Sequence, residues 1–222
     1  LEAKFSQEMQ RATQESAINA LQGRHLELRA ATLRGLELMK RAAHGKDCID
    51  IAGIHNSIAG YALVLQDEAT ARFHAEESLR IHSEMLGERH PLTADAHRNV
   101  GRMLGGIGDH AAAEAHYRLA FEARIAAFGE ESRELADDWQ SLAGEREELG
   151  DFAGALEAYG RSLELQIKLP PPDGPNPFYA EFAEEHRFRT RGLIGDVLEK
   201  MGRLEDARAA WREAHDGLQG LR

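Results

Sequence analysis

The sequence predicts an all-α protein built from about five helix hairpins in tandem. Three observations lead there. A short loop recurs along the 222-residue chain, as Gln22-Gly23-Arg24, Gln66-Asp67, Gly108-Asp109, Gly150-Asp151 and Gly202-Arg203. Aligned on positions 23, 66, 108, 150 and 202, its copies are 43, 42, 42 and 52 residues apart. Small residues recur in register with it, and glycine, proline and aspartate stand where helices must end and begin. Recurrence at a period of roughly 20–50 residues marks a stacked repeat architecture.

The small residues dictate how the helices meet. Five positions after each mark come Leu28, Ala71, Ala113, Ala155 and Ala207, and twelve after it Gly35, Ser78, Ala120, Ser162 and Ala214. Nine after it come Thr32, Ala75 and then three large aromatics, Tyr117, Tyr159 and Trp211. Ahead of the mark Ser16, Ala59, Gly101, Ala143 and Gly195 recur, each preceded by Glu15, Ile58, Val100, Leu142 or Ile194. Small residues let two antiparallel backbones approach, and large ones fill the space beside them. One hairpin buries only part of its apolar face, so hairpins must stack.

Taken in order, the expected helix pairs are 3–21/24–44, 48–65/68–86, 91–107/110–128, 131–149/152–169 and 178–201/204–219. The first pair fits least well, because Glu15 and Asn19 stand where apolar residues belong. Gly87 and Gly129 each lie 21 residues past a mark, just beyond a helix end, where positive φ is common. Pro91 suits a first helical position. Asp67, Asp109 and Asp151 follow the mark and can cap the next helix by accepting an amide hydrogen bond. Five of the six prolines fall in Pro170-Pro171-Pro172-Asp173-Gly174-Pro175-Asn176-Pro177, which must stop the preceding helix. This insert reads either as a plain loop insertion or as a flap over a binding groove.

Composition narrows the function. Hydrophobic residues make up 42% and charged residues 29%, a mix suited to a folded soluble chain. No apolar run approaches the roughly 18–20 residues that span a bilayer, so no membrane segment is expected. The net charge of −11 and the lack of a dense Lys/Arg run argue against nucleic acid. Cys48 is the single cysteine, which precludes an internal disulfide and fits the cytoplasm. The start at Leu1-Glu2-Ala3-Lys4, without Met, suggests a fragment of a larger protein.

One stretch resembles a known family. His90-Pro91-Leu92-Thr93-Ala94-Asp95-Ala96-His97-Arg98-Asn99-Val100-Gly101 is similar to the "HPxTAxxxxNLA" opening of tetratricopeptide repeats, and Ala113-Glu114-Ala115-His116-Tyr117 resembles their "AExxY". The period of about 42 matches the long-repeat type of kinesin light chains and bacterial proteins. The resemblance spans 47–169 and, less closely, 178–219. It implies a right-handed α-α superhelix, a tetratricopeptide-type solenoid. The whole of 1–222 then forms one domain with units about 1–45, 46–88, 89–130, 131–170 and 178–220 around the insert at 170–177.

The resemblance also implies a function. In the family the first helices line a concave groove, and partners contact positions that the consensus leaves free. Here those are Asn56, Ser57 and Gly60; Asp95, Arg98, Asn99 and Arg102; Asp137, Gln140, Ser141 and Gly144; and Arg189, Gly192 and Asp196. Asn99 matches the family's groove asparagine. Such amides can bond the backbone of an extended peptide. Arg98 and Arg102, one turn apart, can meet an acidic side chain or a C-terminal carboxylate. The implied partner is a protein or peptide. Two alternatives stand beside this: a regulatory or scaffold segment of a larger bacterial signalling enzyme, and self-association through uncapped end repeats near Leu218 and Leu221.

Catalytic and metal readings find little support. None of the eleven histidines forms a His-Glu-x-x-His pair. His55 and His97, 42 apart, read as packing residues. His110 and His116 straddle a helix start with no carboxylate set beside them. Glu76-Glu77, Glu130-Glu131, Asp137-Asp138, Glu147-Glu148 and Glu184-Glu185 read as solvated helix surface. No Gly-x-Ser-x-Gly elbow occurs, and Gly105-Gly106-Ile107-Gly108 lacks the Lys-Ser/Thr of a phosphate loop. Cys48 reads as a small apolar filler near a helix start. The expectation is no enzyme, no cofactor and no metal.

Overall fold

Helices account for every regular element in the computed structural model, which describes residues 23–41, 43–169 and 178–220. The expected first helix, 3–21, lies outside these residues. The chain divides into two compact units, 1–85 and 86–222. In the first, α1 (23–41), α2 (Ile49–Val64) and α3 (Glu68–Leu86) close around Leu36, Ile51, Ala52, Ile58 and Ile81. Cys48 packs against this core as a partly buried filler. Arg29 of α1 donates to Asp67 at 2.7 Å.

The second unit holds three hairpins: α4 (Pro91–Gly106) with α5 (His110–Phe128), α6 (Glu134–Glu148) with α7 (Phe152–Lys168), and α8 (Phe178–Lys200) with α9 (Leu204–Gly220). Each helix packs on the next, and α4 also touches α6.

The turn marks behave as their chemistry dictates in four of five cases. Gln66, Gly108, Gly150 and Gly202 have φ of 58°, 87°, 78° and 77°. The following residues, Asp67, Asp109, Asp151 and Arg203, donate their N–H to the carbonyl five residues back, at 2.8–2.9 Å. This closes the helix end in the left-handed glycine motif. Asp67, Asp109 and Asp151 then cap the next helix, accepting from Thr70, Ala112 and Gly154. Gly23 departs from expectation. It is the first described residue of α1, in helical backbone without a positive φ. No aspartate follows it, and a glycine within a helix costs only about 1 kcal/mol.

The small residues sit against the large ones. A Cβ on Gly101 would lie 3.1 Å from the Tyr117 ring, and one on Gly195 would lie 2.4 Å from Trp211. Ala143 and Tyr159 share the corresponding core. One helix start differs from the expected one by more than a residue. Helix α6 begins at Glu134 and not at 131, because Arg133, one repeat beyond Pro91, is the helix boundary while Glu130 and Glu131 belong to the connection. Helix α8 starts at Phe178 as expected, and its 23 residues against 15 for α6 give the last repeat about two more helical turns.

Candidate functional site

The first helices of the second unit carry most of the sequence-predicted site residues. Asp137, Gln140, Ser141 and Gly144 of α6 line one open pocket of about 420 Å³. Its other walls are Tyr117, Glu145, Tyr159, His186 and Leu193. The Ser141 hydroxyl donates to the Asp137 carbonyl at 3.0 Å. Burial, then the nearby Glu145 carboxylate, pushes the Tyr117 phenol up to about 12, opposed by Arg102, Arg98 and a hydrogen bond with Ser141. Burial also raises the Tyr159 phenol, which donates to Glu147 at 3.2 Å. Both tyrosines are therefore neutral donors at pH 7. The buried Gln140 Oε1 has no hydrogen-bond partner.

A second pocket of about 390 Å³ adjoins the first and shares Asp137 and His186 with it. Its walls include Ala136, Leu169, Phe182 and Ala183, so it is largely apolar. His186 Nε2 stands 3.7 Å from Asp137 Oδ1 at the junction, and the Phe182 and His186 rings stack at 18°. Phe182, Ala183 and His186 all lie near the N-terminal end of α8. Sequence reasoning placed a helix there and assigned these residues no part in the site.

On α4 the predicted residues divide. Asn99 is half-buried and Arg102 exposed. Arg98 lies 3.5 Å from Asp95. Asp95 accepts a close hydrogen bond from the buried Arg124 of α5, so it belongs to the framework. Arg124 also donates to the Glu134 carbonyl at 3.3 Å, and its Nε lies 3.3 Å from Asp138. The Asp138 approach lacks hydrogen-bond geometry. Burial outweighs the Arg124 charge there and lifts the Asp138 carboxyl to about 6. The reading of Asp137-Asp138 as a solvated pair thus holds for Asp137 alone: successive helical positions point to different faces, and one of those faces is the core. The missed Arg124 left a signal, since His82, Arg124 and Gln166 are buried or half-buried polar residues 42 apart.

Elsewhere Arg189 pairs with Glu185 at 2.6 Å and is exposed. Asp196 accepts from the Trp211 indole at 2.8 Å, which fixes that ring beside Gly195. In the first unit Asn56 is half-buried, and the exposed Ser57 donates to the Gly53 carbonyl at 3.1 Å.

The histidines are more than filler. His55 Nδ1 lies 2.9 Å from His74 Nδ1, and His97 Nδ1 lies 3.0 Å from His116 Nδ1. The two pairs are one repeat apart. Burial, then the partner ring, lowers His55 to about 4 and depresses His116. Burial depresses His74 as well. Trp139 and Ala158 occupy the same positions in the next hairpin, exchanging two mid-sized rings for one large and one small side chain. The 42-residue step from His74 to His116 was the signal for these pairs. His110, expected to lack a carboxylate, bonds Glu145 at 2.8 Å, because Glu145 reaches it from α6, 35 residues on. Among the described residues no three His, Cys, Asp or Glu side chains converge as a metal site would require.

These features define the class: an all-α protein of stacked helix hairpins with a mixed polar and apolar face on its first helices. Residues 50–126 match the Tetratricopeptide repeat family. Solved structures extend the same fold over the remainder. BtubC (BKLC) from P. vanneervenii superimposes with a TM-score of 0.66 at 20% identity, over 79% of this chain and 66% of that one. The kinesin light chain TPR-like repeats of Podosopora anserina give 0.66 at 12% identity, over 93% and 97%. A Rap protein complexed with competence and sporulation factor gives 0.62 at 14%, over 87% of this chain and 50% of that one. No curated protein sequence matches the chain. The expected all-α tetratricopeptide solenoid is therefore its fold, and that repeat is a general protein-interaction module. No helix among the described residues is long and apolar enough to cross a membrane.

Proposed function

We propose that the chain binds an extended segment of a partner protein along α4, α6 and α8. One observation carries the reading. A polar pocket holding Asp137, Gln140 and Ser141 adjoins an apolar one, and the buried Gln140 Oε1 has no protein donor. A buried acceptor without a partner costs roughly 1–3 kcal/mol, which a ligand N–H would recover once the carboxamide turns toward the pocket that Gln140 lines. The apolar pocket would take a side chain of the same segment. Arg98, Asn99, Arg102 and Arg189 supply polar contacts farther along, and Asn56 and Ser57 offer similar groups in the first unit. Asp95 and Asp196 hold the framework. The Rap protein's complex with competence and sporulation factor is a precedent for ligand binding on this fold. The role is binding and not catalysis, and the lone Cys48 suits a cytoplasmic setting.

The test begins with peptides selected from a random display library against the chain, followed by calorimetry. Gln140→Leu and Arg98→Ala/Asn99→Ala are each expected to weaken selected peptides about tenfold. Unchanged affinity in both, with helicity intact, would overturn the reading.

A further inference from the structure

A second set of positions repeats every 42 residues on the side of the second helices, and its charge changes from hairpin to hairpin. In the α2/α3 hairpin it includes Asp47, Glu77, Arg80 and Glu84. The protein's own guanidinium fills this cluster. Arg80 lies 2.8 Å from Asp47, 3.1 Å from Glu77 and 2.7 Å from Glu84. In the α6/α7 hairpin the same positions hold Glu131, Arg161, Glu164 and Lys168, so a glutamate replaces the central arginine. These four line an open cleft of about 350 Å³ together with Glu130 and Glu157. Arg161 pairs with Glu164 at 3.0 Å and Lys168 with Glu131 at 2.5 Å. Glu130 and Glu157 have no cation paired with them among the described residues. The cleft also has an aromatic lining: Phe121 meets Trp139 edge-on with centroids 4.5 Å apart.

We propose that this cleft is a docking site for a lysine or arginine side chain of a partner protein, with the head at Glu130 and Glu157 and the stem on Phe121 and Trp139. Charge selects the occupant, because the lining has four carboxylates against two cations. The apolar lining accepts the methylene stem that such side chains bury while their heads stay wet, and a cation close to the Trp139 face gains further attraction. The site is distinct from the groove on the first helices and stands or falls separately.

The chain has two tryptophans, so Trp211→Phe leaves Trp139 as the sole emitter. In that background a short amphipathic lysine/leucine peptide is titrated, alongside the same peptide with glutamate for lysine. The lysine peptide is expected to shift Trp139 emission saturably, and the glutamate peptide not at all. Glu130→Gln/Glu157→Gln should weaken the lysine peptide about tenfold. Glu68→Gln/Glu199→Gln, which removes equal charge elsewhere, should weaken it less than twofold. An unmoved Trp139 emission, or equal losses in the two double variants, would overturn the proposal and reduce the attraction to net charge alone.

Discussion

Acidification should loosen the first unit through the His55–His74 pair. The two Nδ1 atoms are 2.9 Å apart, so one ring donates to the other, and a proton added to either ring creates a buried cation beside its partner. Burial is the largest cause holding His55 at about 4, followed by His74 and Lys40, while Glu77 and Asp47 oppose it. In the unfolded chain the group titrates near 6.5. A depressed folded value means that the full stability is present above about 6.5 and is lost as pH falls toward 4. At pH 5 the unfolded imidazole is protonated and the native one is not, a difference of about 1.5 pKa units or about 2 kcal/mol. The loss reaches about 3 kcal/mol near pH 4. Urea unfolding at pH 7 and pH 5 measures it. Trp139 and Trp211 both lie in 86–222, so fluorescence follows that unit, and circular dichroism change without fluorescence change reports on 1–85. His55→Gln/His74→Gln should flatten the pH dependence of that second signal. Equal pH dependence in the wild type and the double variant would refute the pair as its source.

Two further outcomes follow from the second unit. Gly195→Ala would bring a methyl to 2.4 Å from the Trp211 ring, which Asp196 holds, and should cost about 1–3 kcal/mol by urea midpoint; Gly192→Ala, with only Ala214 at 4.0 Å, should be neutral or slightly stabilising. Arg124→Ala removes the cation nearest the buried Asp138 and should cost about 3 kcal/mol or more at pH 7. It should also move the Asp138 carboxyl above about 6. A raised carboxyl favours the folded state at low pH, so this variant should regain stability on acidification through that value. Asp138→Asn in the Arg124→Ala background should recover much of the loss, and strict additivity of the two substitutions would count against the coupling.

The readings that succeeded from sequence were local ones. Asp67, Asp109 and Asp151 cap helices because a carboxylate three residues before an amide needs nothing beyond its own turn. Gly101 against Tyr117 and Gly195 against Trp211 were legible because a hairpin fixes which positions face each other. Asp137, Gln140 and Ser141 line one pocket because their spacing puts them on one face of α6; the family resemblance pointed to them as partner-contact positions. Gly23 shows the limit: a glycine alone does not make a turn without the surrounding cap. The apolar pocket beside it was not legible: the helix from 178 was expected, but which of its side chains meet Ala136 and Leu169 depends on how α8 packs on the preceding hairpin.

By itself, then, the sequence determined the all-α hairpin repeat, its period and its helix ends, because these depend on contacts within one repeat. Tertiary structure decided which groups are buried and with whom. Asp137 and Asp138 are adjacent carboxylates, yet only the second sinks beside Arg124, from another helix, and titrates near 6. His55 and His97 became hydrogen-bonded pairs only when the facing helix brought His74 and His116 within 3.0 Å. Burial and pairing between helices arise from packing, and a single chain position does not encode the neighbour that packing supplies.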